Sequence, residues 1–232
     1  MGSLASMARG WRIAAVVAAA LVLALGIAQI VLPRVAASSV RGRVQRYGTV
    51  RSVSVSAFPA VKLLWKHADE VRVRAGSLSF QPGEGADLVA EGSGTERVVG
   101  SAEEVTVGPV QVRDVSFAKH GDSLRAEGTI DEEEVRQALP PGVSVDVLEC
   151  GGGQVKARVG GELFGFGASV DAVARGLAGK LVVQAQAGFL GTVTDTLFED
   201  PRVYVEGVDA RRLSGSPNGE GSYRLTMWAS VR

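Results

Sequence analysis

From Gly48 to the C-terminus the chain alternates apolar and polar residues with a period of two, and that pattern restricts most of its length to strands. Val53, Val55 and Ala57 interleave with Ser52, Ser54 and Ser56, and Val71 and Val73 interleave with Arg72 and Arg74. Similar runs lie at Val105 and Val107, Val110 and Val112, Val115 and Phe117, Leu124 and Ala126, and Val143, Val145 and Val147. They continue at Val155, Ala157 and Val159, at Phe164, Phe166 and Ala168, at Leu181 to Val183, at Val203 and Val205, and at Leu225, Met227, Ala229 and Val231. Turn residues divide most of them, and hairpin turns are expected at Gly83 to Gly85, Gly151 to Gly153 and Asn218 to Gly219. Helical stretches long enough for repeated parallel crossovers are missing, so the expected class is α+β, β-dominated, with an antiparallel sheet.

Four segments depart from that period. Val40, Val44 and Tyr47 recur at helical spacing, with Arg41, Arg43 and Arg46 between them and Gly48 as a stop. Either the arginines face anionic headgroups, or the apolar residues pack inward and the arginines are solvated. Pro59 to His67 reads as a short helix with proline in its first turn and Val61, Leu64 and Trp65 on one side. Thr129 to Leu139 has capping-box spacing at Thr129 and Glu132, an acidic start and Pro140 as its stop. Ser169 to Leu177 places Val170, Val173, Ala174 and Leu177 at helical spacing.

Before the strands, residues 13–32 are almost all Ala, Val, Leu and Ile, about 30 Å of helix and enough to cross a bilayer core. Arg9, Trp11 and Arg12 border the segment on one side, Pro33 and Arg34 on the other. It reads as a transmembrane anchor or, with Gly26 and Ala28 as small residues before a cut, as a signal segment. Three regions follow: a basic tail over 1–12, the anchor or signal over 13–32, and a single domain over 33–232. Arg34, Arg41, Arg43 and Arg46 outnumber Arg9 and Arg12, and that count alone favours a cytoplasmic C-terminal domain.

Groups that could perform chemistry are sparse. The formal net charge is zero, so no global field draws the chain to nucleic acid. The lone Cys150 excludes an intramolecular disulfide and a multi-thiolate metal site. His67 and His120 sit in unrelated segments with no ligand spacing, and Gly151 to Gly153 lack the lysine and following helix of a phosphate cradle. The consecutive carboxylates Asp131 to Glu134 point in different directions on a helix and suit its positive end. Neither an enzyme, a metal nor a cofactor is expected. The segment Phe58, Pro59, Ala60, Val61, Lys62, Leu63, Leu64, Trp65, Lys66, His67 joins large apolar side chains to two ammonium groups. It suits contact with a bilayer surface, and equally a plug at one end of the sheet with Leu63, Leu64 and Trp65 in the core.

The order of an apolar span, a short helix, a Ser/Val strand into Ser56-Ala57-Phe58-Pro59, Leu63-Leu64-Trp65 and Asp69-Glu70-Val71-Arg72-Val73-Arg74-Ala75 resembles the LmeA-like family of actinobacterial cell-envelope proteins. Residues match over about 49–75, and the layout over 33 to the C-terminus. Trp65-Lys66-His67 departs from the family pattern, where a shorter glycine-containing turn is expected. The resemblance implies an extracytoplasmic phospholipid-binding domain that supports envelope lipid or glycolipid assembly, with a curved sheet wrapping a helix as in tubular lipid-binding folds. It overrules the arginine count and implies a single-pass protein of the cell membrane with its C-terminal domain outside. The partners implied are the bilayer, a phospholipid or glycolipid and envelope biosynthesis proteins. Lipid or membrane contact is then expected of Phe58, Val61, Lys62, Leu63, Leu64, Trp65 and Lys66, and of Arg41, Arg43 and Arg46. The alternative is a non-catalytic scaffold or interaction protein with a filled core.

Overall fold

The computed structural model describes residues 26–81, 84, 87, 94–139, 141–163, 166–186, 192–213 and 221–231. β-branched residues at alternate positions favour a pleated, half-buried surface, and twelve strands form among the described residues. These are β1 (Gly48–Ser56), β2 (Ala68–Phe80), β3 (Thr95–Val107), β4 (Val110–His120), β5 (Ser123–Asp131), β6 (Val143–Gly151), β7 (Gln154–Leu163), β8 (Phe166–Leu177), β9 (Lys180–Gln186), β10 (Thr192–Phe198), β11 (Val203–Leu213) and β12 (Ser222–Val231). One sheet has the order β1-β2-β3-β4-β5-β12-β11, the other β10-β9-β8-β7-β6. Both sheets curve and stay open.

The expected antiparallel pattern holds for every named pair but one. β2 and β3 are parallel, Val71 opposite Val98 and Ala75 opposite Ala102. A parallel pair needs a crossover of about a dozen residues, and the chain between Phe80 and Thr95 is long enough to return to the starting end. The turns expected at Gly83 to Gly85 and at Asn218 to Gly219 lie on residues outside those described. At Gly151 to Gly153 the hairpin joins β6 to β7, with Gly152 and Gly153 at φ 65° and 79°, a left-handed pair that favours glycine.

Ser169 to Leu177 is strand, as part of β8, and not helix. Ala172 pairs with Ala157 on one side and Ala185 on the other, and Ala174 with Val155 and Val183. Pairing on both edges overrides an apolar spacing that is compatible with either period. The acidic helix is shorter than expected, Glu132–Ala138, and the capping box does not form. Thr129 is buried within β5, and Asp131 becomes the residue before the helix, its carboxylate taken by Arg113 and Ser222. The segment after Pro59 is a 3-10 helix over Ala60–Trp65.

Residues 26–44 form one helix, which takes in Val40 to Val44 of the short helix expected up to Tyr47 and gives way to a turn over 45–47. Val44 is buried and Tyr47 packs its ring 4.9 Å from that of Phe80, so this apolar side does face the domain. Of the expected span over 13–32, residues 13–25 lie outside the described ones, and no helix among the described residues is long and apolar enough to cross a membrane. No described strand closes a tube around this helix. It meets the chain where Gln29 Oε1 accepts the Ala60 N–H at 3.1 Å and Arg41 donates to the Arg51 carbonyl at 3.2 Å.

The sheets join at β11, where Val205 N–H donates to the Gly179 carbonyl at 2.9 Å and Val208 N–H to the Gly153 carbonyl at 3.1 Å. The approach excludes side chains: a Cβ at Gly176 would stand 2.7 Å from the Glu206 carbonyl oxygen. Val203 and Val205 are the largest fully buried side chains among the described residues, and Val203 clusters with Leu124, Ala229 and Val231.

Candidate functional site

Register converts the alternation of single strands into rows that cross the whole seven-stranded sheet. Val55, Val71, Val98, Lys119, Leu124, Ala229 and Val205 form one row, each the partner of the next. Beside it run Val53, Val73, Gly100, Phe117, Ala126 and Met227. Period-two geometry puts these residues on one face. The opposite face carries Ser54, Arg72, Arg125 and the ion pairs Arg51–Glu103, Arg72–Glu70 and Arg125–Glu127. The apolar face is shaped by absent side chains. Phe117 lies over Gly100, where a Cβ would meet its ring carbon at 2.0 Å, and Val112 lies over Gly128 at 2.5 Å. In the first row Val55, Val71, Lys119, Leu124, Ala229 and Val205 are buried and Val98 is half-buried, whereas in the second Val53, Val73, Phe117, Ala126 and Met227 are only half-buried. Among the described residues the second sheet approaches the first most closely along β11.

At one end of the face stands the segment after β1. Phe58, Leu64 and Trp65 are 77%, 64% and 66% exposed, whereas Ala60 alone in the 3-10 helix is buried and Val61 and Leu63 are half-buried. A core plug built from Leu64 and Trp65 is therefore not what forms. Asp69 fixes the segment: Oδ2 accepts the Phe58 N–H at 2.5 Å and Oδ1 accepts from Lys62 Nζ at 3.2 Å. The Phe58 amide and the Lys62 ammonium hold its carboxyl below the usual range. Lys66 takes the left-handed conformation that ends the turn, and His67 Nδ1 donates to the Trp65 carbonyl at 2.8 Å. Between this turn and the starts of β2 and β3 opens a cleft of about 520 Å³, lined by Lys62, Trp65, His67, Ala68, Asp69, Gly94 and Glu96.

The expected site residues divide in two. Phe58, Val61, Lys62, Leu63, Leu64, Trp65 and Lys66 stay together beside Gln29 of the helix. Arg41 reaches the first half of β1, and Arg43 and Arg46 follow it. From Gln29 to Arg41 the helix advances about 18 Å, so the arginines stand at the other end of β1 from Phe58. Three residues escaped sequence reasoning: Asp69, Glu96 and above all Lys119. Lys119 is 3% exposed, donates from Nζ to the Thr95 carbonyl at 2.8 Å, and has its ammonium pKa lowered by desolvation. The signal was present in Val115, Phe117, Lys119, a lysine at an apolar position of the alternation.

Elsewhere the residues offer little chemistry. No group of three or more His, Cys, Asp or Glu able to hold a metal occurs among the described residues. Glu132 and Glu133 pair with Arg136. An open cleft of about 360 Å³ beside Cys150, Gly151, Gln154 and Lys156 contains a thiol pushed up by burial, with no histidine or carboxylate among the described residues that line it. No curated protein and no solved structure matches the chain. A family model described as LmeA-like phospholipid-binding matches residues 23–220.

Proposed function

Because the chain belongs to the LmeA-like phospholipid-binding family, we propose that it is a membrane-tethered, extracytoplasmic phospholipid-binding protein that supports assembly of envelope lipids or glycolipids. The observation that carries this reading is the half-covered apolar face running across the seven-stranded sheet. Acyl chains laid on such a face leave water at about 0.8 kcal/mol per methylene. Tethering draws support from the apolar run over 13–32, and the exposed Phe58, Leu64 and Trp65 with Lys62 and Lys66 offer a contact with the bilayer surface. The outward orientation rests on the family. No catalytic step belongs to this function.

The test compares the full chain in mild detergent with its Met227→Glu variant, which sets a charge at the β12 end of the half-buried row of the apolar face. Native mass spectrometry should find about one phospholipid per wild-type chain and a strongly reduced fraction in the variant. Equal lipid on both chains, or none on either, would overturn the reading and leave a filled-core scaffold as the better account.

A further inference from the structure

Four strands end the two sheets among the described residues, β1 and β11 in one, β6 and β10 in the other. Three of them have a neighbour. Arg41 of the helix over 26–44 reaches the Arg51 carbonyl of β1. β11 donates from Val205 and Val208 to the carbonyls of Gly179 and Gly153. Beside β6 stands the helix Glu132–Ala138, whose Val135 and Arg136 line one cleft with Val143 and Val145. β10 pairs with β9 and with no other described strand, and every residue from Thr192 to Leu197 is exposed, Val193 by 53% and Leu197 by 58%. Natural edges are blunted by lysine, proline, a bulge or a cover. This one has neither lysine nor proline, its irregularity falls only after Thr196, and its single charge is Asp195.

We propose that β10 pairs antiparallel with β10 of a second copy of the chain, in a register centred on Thr194, so that the two five-stranded sheets join edge to edge. Thr192-Val193-Thr194-Asp195-Thr196 is self-complementary in that register: Thr194 faces Thr194, Thr192 faces Thr196, and Val193 faces Asp195. Threonine pairs across strands add stability, whereas like charges directly opposite remove it. Centred one residue further on, the pairing would oppose Asp195 to Asp195; centred half a step on, it would set threonines against residues of the other copy's apolar side. Gln184 Nε2 donates to Thr194 Oγ1 at 3.2 Å, which leaves the hydroxyl proton for the second Thr194. Register also fixes the sides. Thr194 ends the row Lys156, Val173, Gln184, while Val193 ends the apolar row Val147, Ala157, Ala172, Ala185, each the partner of the next. A two-fold axis through Thr194, perpendicular to the sheet, keeps the apolar rows of both copies on one side, where they meet end to end. One strand pair with few large side chains belongs at the weak end of protein interfaces, so dimers are expected at roughly micromolar concentration.

Sedimentation velocity of the full chain in mild detergent, over roughly 1–100 μM, tests the pairing. The wild-type chain should pass from monomer toward dimer, and Thr194→Lys, which sets two ammonium groups on the axis, should stay monomeric with an unchanged Tm. Disulfide trapping on a Cys150→Ser background reads the register. Thr194→Cys should link two chains under mild oxidation, whereas Asp195→Cys should not, because the register leaves its two copies diagonal and about 7–8 Å apart. A wild-type chain that is monomeric throughout, a dimer that survives Thr194→Lys, or a link that forms more readily at 195 than at 194 would overturn the proposal. No lipid enters either measurement, so the lipid-binding reading stands or falls separately.

Discussion

Two inner-face glycines do work that no apolar residue could. Phe117 lies over Gly100 and Val112 over Gly128, so neighbouring strands fill the space that a Cβ would occupy. Gly100→Ala would place a methyl carbon 2.0 Å from the Phe117 ring and force the ring upward off the face. We expect a loss of about 1–3 kcal/mol, the usual cost of overpacking, read from the urea midpoint. An unchanged midpoint would mean that the ring moves freely and that glycine has no such role. Lys119 belongs to the same scale, because its sequence position marks it as inward while only the register shows that it is charged among six apolar neighbours in one row.

Among elements, the 3-10 helix Ala60–Trp65 is the one whose composition and burial disagree most. An element that buries only Ala60 contributes little through its leucines and tryptophan to the core. Leu64→Ser combined with Trp65→Ser should therefore change unfolding free energy by no more than about 0.5 kcal/mol, as for other exposed sites. In a chain begun at Gly26, without most of the apolar run that would itself hold it in the bilayer, the same pair should lose much of the retention on liposomes in a flotation assay. A drop of about 3 kcal/mol or more would instead restore the core-plug role. β8 shows the converse: its residues Val170, Val173, Ala174 and Leu177 suit a helix, but partners on both edges make them strand.

For the whole molecule, two open sheets meet along β11, and one row of the apolar face of the seven-stranded sheet stays half-buried. Any ligand that covers that face in the folded state stabilises it by mass action. A phospholipid at a hundredfold excess over its Kd should add about 2.7 kcal/mol, which for a chain of this size raises Tm by roughly 5–10 °C. Differential scanning fluorimetry with and without lipid would show it, and Met227→Glu should abolish the shift. A Tm indifferent to lipid in the wild-type chain would argue that the face is already filled.

What the residues by themselves determined was local: most of the strands, which side of them is apolar, the hairpin turn at Gly151 to Gly153, and, through the stretch from Thr49 to Ala75, the family; β10 showed no alternation that marked it. Period-two alternation is a property of a single strand, so it survives without knowledge of any neighbour. Tertiary structure decided the parallel pairing of β2 with β3, the strand state of β8, the exposure of Leu64 and Trp65, and the separation of Arg41, Arg43 and Arg46 from the Phe58 segment. It also assembled Lys62, Asp69, Glu96 and Lys119 at one end of one face. Each of these depends on contacts between residues distant in the chain, and register across seven strands is fixed by packing and crossover geometry that no local pattern encodes.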